Sequence, residues 1–232
     1  MIRFPAMANA TAGRPALDGN AVRTQRTRER ILAASLALFN TRGEANVTTG
    51  IIADELNISP GNLYYHFRNK DQIVERLFER FEARISLPPP APAAGPEAIE
   101  DLWLYLHLMF EAIWDYRFLY RNLDDIVGRN RRLREHFNRI VDAKVAAVTG
   151  LCGQLAAAGL MRASPAEIRA LAENVLVVAT YWFNYQAIRA RRGRSEAGDP
   201  GGGAFQVMAL FGPYLVGEAR RHLEGLGRQY ID

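Results

Sequence analysis

Five of the eleven residues in SLPPPAPAAGP, residues 86–96, are proline. Proline has no amide hydrogen to donate and fixes its own φ, so neither a helix nor an inner strand can run through this stretch. It is expected to be a linker or an extended loop. It therefore splits the chain into a short N-terminal part and a longer C-terminal part that must each build their own elements.

On both sides of that stretch the apolar residues recur at helical spacing. Ile31, Leu32, Ser35, Leu36, Leu38 and Phe39 form one stripe, which Gly43 ends. A short helix starts at Thr48 or Thr49, either of which can cap it, and buries Ile51, Ile52 and Leu56. After a break at Asn57–Ile58, Ser59 caps a third helix with Pro60 in its first turn, where a missing N–H costs nothing. A fourth begins near Lys70 and carries Ile73, Leu77, Phe78, Phe81 and Ile85. Beyond the prolines, helices are expected over 97–116, 117–127 and 129–158. Ser164, Pro165 and Glu167 make a capping box that opens a helix reaching Arg192. RRGRSEAGDPGGG, residues 191–203, reads as a loop, and a last helix from Ala204 to Gly225 should kink at Pro213. No alternating pattern of useful length appears. The expected class is all-α, about nine helices, divided as a disordered basic arm (1–23), an N-terminal helical domain (24–85), the linker (86–96) and a larger helical domain (97–232).

Composition narrows the function classes. Hydrophobic residues at 49% and charged residues at 23% exclude wholesale disorder. No uninterrupted apolar run approaches the ~20 residues that a bilayer requires, so no membrane span is expected. Residues 1–20 are interrupted by Pro5 and polar residues, which does not suit a secretory signal. The single cysteine, Cys152, rules out an internal disulfide and a cysteine-built zinc site, fits a reducing cytoplasm, and is expected to be buried and inert. No nucleophile–base pair, phosphate loop or metal-ligand spacing appears, so neither an enzyme nor a cofactor or metal is expected. The net charge is +4, and residues 1–30 hold six arginines against Asp18 and Glu29, so the whole excess sits at the N-terminus. Such a segment is either a solvated tail or a phosphate-seeking arm.

The informative segment is VTTGIIADELNISPGNLYYHFRNK, Val47 to Lys70. Two short helices joined by a tight turn form a helix-turn-helix, whose second helix presents its first residues to base edges in the major groove. Ser59 offers a hydroxyl to a phosphate, Gly61 lets the backbone approach DNA, and Asn62 can pair with an adenine edge. Tyr64, Tyr65 and His66 lie where the helix leaves the groove, and Lys70 can meet a phosphate. ILAASLALF, Gly43, VTTGIIADEL and above all ISPGNLYYHFRNKDQI resemble the DNA-binding domain of the TetR/AcrR family of bacterial transcriptional regulators. The resemblance spans Arg26 to Arg80 and implies that Thr48 and Thr49 meet phosphates. It also implies that Ser59, Gly61, Asn62, Tyr64, Tyr65 and His66 form the recognition face, and that Lys70 anchors a phosphate. After the two threonines the family often carries a polar or basic side chain; here Gly50 stands, which shifts base reading onto the third helix.

For the C-terminal part the resemblance implies a divergent ligand-binding and dimerisation bundle. Trp103, His107, Phe110 and Trp114 share one helix face, and Asn174, Tyr181 and Asn184 lie on the helix opened by Ser164. Where these faces meet they could wall an apolar effector cavity, or simply fill a core. Reading a two-fold operator requires two helix-turn-helix units ~34 Å apart, so a homodimer is expected. The last two long helices are its candidate interface, with Trp182, Tyr185, Phe211, Tyr214 and Leu215 buried across the axis. The reading is a repressor that binds double-stranded DNA and is released by a small apolar or amphipathic molecule; its alternative is a protein-interaction adaptor with a solid, ligand-free bundle.

Overall fold

The structure is a computed structural model, and it describes residues 19–86, 97–189 and 199–227. Most of the proline-rich linker and the first part of the basic arm lie outside the described residues. Eleven α-helices and one 3-10 turn follow one another, with no strand among the described residues.

The N-terminal domain consists of α1 (Gly19–Arg42), the 3-10 turn Glu44–Asn46, α2 (Thr49–Glu55), α3 (Pro60–His66) and α4 (Lys70–Ile85). Helix α1 starts earlier than the apolar stripe suggested, so residues 19–23 of the expected arm are helical. Asn20 to Arg23 are exposed, so no core contact imposes a hydrophobic period on that first turn. Ile31, Phe39, Ile52, Leu63, Ile73 and Phe81 are all buried to 0% and form the core on which the short helices rest.

The C-terminal domain runs through α5 (Glu97–Asp115), α6 (Arg117–Arg121), α7 (Leu123–Arg129), α8 (Arg131–Ala157), α9 (Pro165–Arg189), α10 (Pro200–Phe211) and α11 (Gly217–Gly227). The expected helix over 117–127 is divided at Asn122, and the last expected helix is divided rather than kinked. Its first half stops at Phe211, before Pro213. The following turn is pinned to the end of α8 by Arg162 N–H donating to the Tyr214 carbonyl at 2.8 Å and Val216 N–H donating to Leu160 at 3.0 Å. The capping box at α9 forms in both directions: Ser164 N–H donates to Glu167 at 2.7 Å, and Glu167 N–H donates to Ser164 Oγ at 3.3 Å.

The glycine-rich run is only partly loop. Asp199 accepts from Gly202 N–H at 2.7 Å and caps α10, with Pro200 in its first turn. A Cβ at Gly203 would stand 2.4 Å from the Phe110 ring and 2.8 Å from Trp182, so this glycine permits the close approach of α10 to α5 and α9.

Asn40 joins the domains. It is 6% exposed. Its Nδ2 donates to the Asp115 carbonyl at 2.7 Å, and its Oδ1 accepts from Phe118 N–H at 3.1 Å. Phe39 packs on Phe118 beside it, ring centroids 5.2 Å apart. A satisfied buried amide next to an aromatic pair fixes the angle between the end of α1 and the start of α6.

Candidate nucleic-acid interface

Local chemistry builds the helix-turn-helix. Thr48 caps α2, its side chain accepting from Ile51 N–H at 3.2 Å. Asn57 takes the left-handed conformation at φ 53°, which asparagine tolerates better than most residues, and turns the chain between the helices. Ser59 caps α3 by accepting from Asn62 N–H at 3.2 Å. A capping hydroxyl uses a lone pair and keeps its proton, so both Thr48 and Ser59 retain a donor.

Leu63 and Phe67 anchor α3 from behind, at 0% and 1% exposure. That anchoring turns Gly61, Asn62, Tyr64 and Tyr65 outward, and all four are exposed. Tyr65 is 76% exposed, so it does not pack on α4. The hydroxyls of Tyr64 and Thr49 lie 3.1 Å apart and tie α3 to the start of α2. His66 is half-buried, and its Nδ1 is enclosed without a hydrogen-bond partner. Burial, and secondarily the charge of Arg28, lowers its pKa and favours the neutral ring.

Two basic residues are engaged within the domain. Arg28 donates to the His66 carbonyl at 3.3 Å and lies 4.8 Å over the Phe67 ring, so it closes the C-terminal end of α3. Lys70, expected as a phosphate anchor, directs its ammonium to Glu44: 3.0 Å to the carboxylate and 2.9 Å to the carbonyl.

Sequence reading missed an arrangement beside α3. Helix α1 runs alongside it, and the two line an open cleft of about 650 Å3 whose walls include Arg23, Arg26, Arg30, Asn62, Tyr65 and His66. The three arginines are exposed and lie three and four residues apart, on one face of α1. That spacing was visible, but Arg23 was assigned to an unstructured arm.

Residues 31–77 match the bacterial regulatory proteins of the tetR family, and residues 78–223 match a second family described as bacterial transcriptional repressor, TetR. The chain belongs to the TetR family. This is a family of transcriptional regulators, not enzymes. A TetR-family transcriptional regulator from Marinobacter aquaeolei superposes with a TM-score of 0.76 at 36% identity, over 88% of this chain and 98% of that one. The transcriptional regulator AcrR of Shigella flexneri is 33% identical over 61 residues, 26% of this chain and 28% of AcrR. The transcriptional repressor KstR of Rhodococcus jostii is 34% identical over 115 residues, 48% of this chain and 51% of KstR. The chain thus matches between about a quarter and a half of the length of these two curated relatives.

In this TetR-family chain the C-terminal cavity lies on a different face of α5 from the aromatic stripe. It is walled by Leu102, Tyr105, Leu106 and Met109 of α5, by Lys144 and Leu151 of α8, and by neighbours on α9 and α10. None of the seven expected ligand residues lines it. Phe110 is buried at 0% against Phe183, and Trp114 lies 5.1 Å from the same ring. The Trp103 and His107 rings are tilted against each other, centroids 4.7 Å apart. Asn184 donates to the Tyr120 carbonyl at 3.1 Å, while Asn174 and Tyr181 are exposed. The aromatic stripe therefore serves mainly as core. The cavity measures about 30 Å3, room for water but far below the several hundred Å3 of a typical ligand site. On its wall Lys144 is 9% exposed, its ammonium is 2.5 Å from the Tyr105 hydroxyl, and burial pushes its pKa down to about 8.

The expected dimer residues also divide. Phe211 and Leu215 are each 1% exposed inside the protomer, where α10 is sandwiched against α5 and α9; they are core, not interface. Tyr214 is half-buried in the turn that follows α10, and Trp182 is half-buried with its indole N–H donating to Asp199 at 3.2 Å. An uncovered apolar stripe lies on α9, Val177, Tyr181, Tyr185 and Ile188, exposed by 57%, 48%, 48% and 84%, and a shorter one on α5, Leu104 and Leu108. Beside the α9 stripe, α8 exposes the small residues Ala143, Ala146, Gly150 and Gly153. Helix α8 is long and apolar enough to cross a membrane on length and composition alone, with 22% of its most apolar window buried. Among the described residues no group of three or more His, Cys, Asp or Glu is placed to hold a metal.

Proposed function

We propose that this chain is a dimeric DNA-binding repressor that reads a two-fold operator. The observation that carries the reading is the outward face of α3, where Asn62, Tyr64 and Tyr65 stand free of the core beside Arg23, Arg26 and Arg30 of α1. Asn62 has the paired donor and acceptor that an adenine edge demands. The two tyrosines supply sugar and phosphate contacts, as do Thr48, Thr49, Ser59 and Gly61 at the helix starts. His66, kept neutral, contributes a hydrogen bond rather than a charge.

A second copy covers the stripe of Val177, Tyr181, Tyr185 and Ile188, its own α8 and α9 completing a four-helix bundle. Exposed tyrosines and Ile188 on one helix fit against the small residues on α8, and an apolar helix only partly covered by its own protomer favours the same partner. Release is by a small apolar or amphipathic molecule that parts α5, α8, α9 and α10, because the lining is apolar apart from Lys144 and Tyr105. The small cavity favours a second reading, a bundle that takes no ligand and works through protein contacts.

The test is to incubate the purified protein with sheared genomic DNA and sequence what it retains. Enrichment of an inverted repeat whose half-sites lie one turn apart is the expected result. Fragments enriched no better than by an Asn62→Ala, Arg26→Ala double variant would overturn the DNA reading.

A further inference from the structure

Among the described residues Glu44 is the one carboxylate buried to 0%. A buried carboxylate is costly unless cations compensate it, and here two cations converge on the same oxygen. Lys70 Nζ lies 3.0 Å from Glu44 Oε1, and Arg129 Nη2 lies 2.7 Å from that atom. They arrive from different domains. Lys70 opens α4 directly behind the recognition helix, whereas Arg129 closes α7 in the C-terminal domain. Arg129 also reaches Asp125 at 3.2 Å and Asp71 at 4.0 Å, both mostly exposed.

Two like charges sharing one oxygen weaken each other's hold on it, and in a buried site they do so strongly. The Lys70 side chain remains 24% exposed and an ammonium has three donors, so it can hold Glu44 and still meet a phosphate. If Arg129 withdraws, the whole carboxylate charge falls to Lys70. Arg129 is well placed to be moved. The next residue, Asn130, caps α8 and donates to Glu75 of α4 at 2.9 Å, and α8 walls the C-terminal cavity with Lys144, Ala147, Val148 and Leu151. A shift of α8 therefore pulls on Arg129 through one peptide unit.

We infer that Arg129 sets the availability of Lys70 to DNA by sharing Glu44 with it, so that displacement of α7 and α8 returns Lys70 to Glu44 and weakens DNA binding. The inference rests on the DNA-binding reading above. It makes Arg129 a positioning residue for a phosphate contact it does not itself make.

The chain has two lysines, Lys70 and Lys144, so acetylation of each can be followed separately by mass spectrometry. In Arg129→Ala, acetylation of Lys70 should slow several-fold relative to Lys144. In Glu44→Gln it should quicken, and the Glu44→Gln, Arg129→Ala double variant should behave like Glu44→Gln. The second measurement uses a random-sequence 30-base-pair duplex and the slope of log affinity against log salt. Lys70→Met and Arg129→Ala should each flatten that slope by about one phosphate contact, and together by no more than either alone. The variant lacking both Glu44 and Arg129 carries no orphaned charge, and it should recover the wild-type slope. Unchanged Lys70 acetylation in Arg129→Ala, or additive losses of slope, would overturn the inference. A wild-type protein that binds no duplex would overturn the DNA reading instead, leaving the acetylation rates to decide this one.

Discussion

Asn62 and Lys144 are each a polar side chain at the centre of a proposed binding surface, and they are held in opposite ways. Asn62 is exposed on a seven-residue helix fixed from behind by Leu63 and Phe67. Its amide is open to solvent without rearrangement. Lys144 is nine-tenths buried on a helix of twenty-seven residues, at the wall of a cavity of about 30 Å3. Anything that meets it has to part helices first. The N-terminal domain is a surface ready for contact; the C-terminal domain is a closed bundle whose opening is the event that could be regulated.

The sharpest way to break that contrast is to compare a buried with an exposed apolar residue in the C-terminal domain. Phe211→Ala removes a ring that is 1% exposed and should cost roughly 3–5 kcal/mol, read as a large fall in melting temperature. Tyr185→Asp with Ile188→Asp should keep the helical spectrum and instead yield a monomer on sedimentation. A double variant that stays dimeric would place the interface off α9.

Lys144 gives the next effect. Its folded pKa of about 8 lies below its ordinary value of 10.5, so the unfolded chain binds the extra proton between those values. Its contribution to stability is therefore unfavourable below pH 8 and is relieved as pH rises from 8 toward 10.5. Lys144→Met should stabilise the protein by on the order of 2 kcal/mol at pH 7. The gain should shrink by pH 10; a gain equal at both pH values would show that Lys144 carries no desolvation penalty.

In the N-terminal domain, Asn62→Ala should cost roughly 1–3 kcal/mol on the operator and almost nothing on random DNA, measured by titration at fixed salt. Arg26→Ala should weaken both alike. Equal losses for Asn62→Ala would reduce it to a backbone contact. Ser59→Ala should remove about 1 kcal/mol of stability through its lost cap, seen as a small shift in the urea midpoint.

The helix-turn-helix was legible because it is written in neighbouring residues. Thr48 and Ser59 cap helices three residues ahead, Pro60 marks a first turn, and Leu63 and Phe67 fall on one face. The pairing of Lys70 with Glu44 was not legible, because Glu44 lies twenty-six residues away in a turn with no periodic signal. The C-terminal domain repeats that lesson at longer range. The stripe of Trp103, His107, Phe110 and Trp114 is a real helix face, but spacing along one helix says nothing of whether the opposing surface leaves a void. Gly203 read as loop because a glycine placed for close approach looks in sequence like a glycine placed for flexibility.

By itself, the sequence determined the all-α class, the caps and the outward face of α3, because each depends on contacts within about one or two helical turns. Tertiary structure alone decided that α10 is core, that α9 keeps an uncovered apolar stripe, that the cavity lies on a different face of α5, and that Arg129 reaches across to Glu44. Those outcomes depend on which of several apolar or charged faces finds a partner distant in the chain. Burial is a property of the pair, and no single helix encodes it.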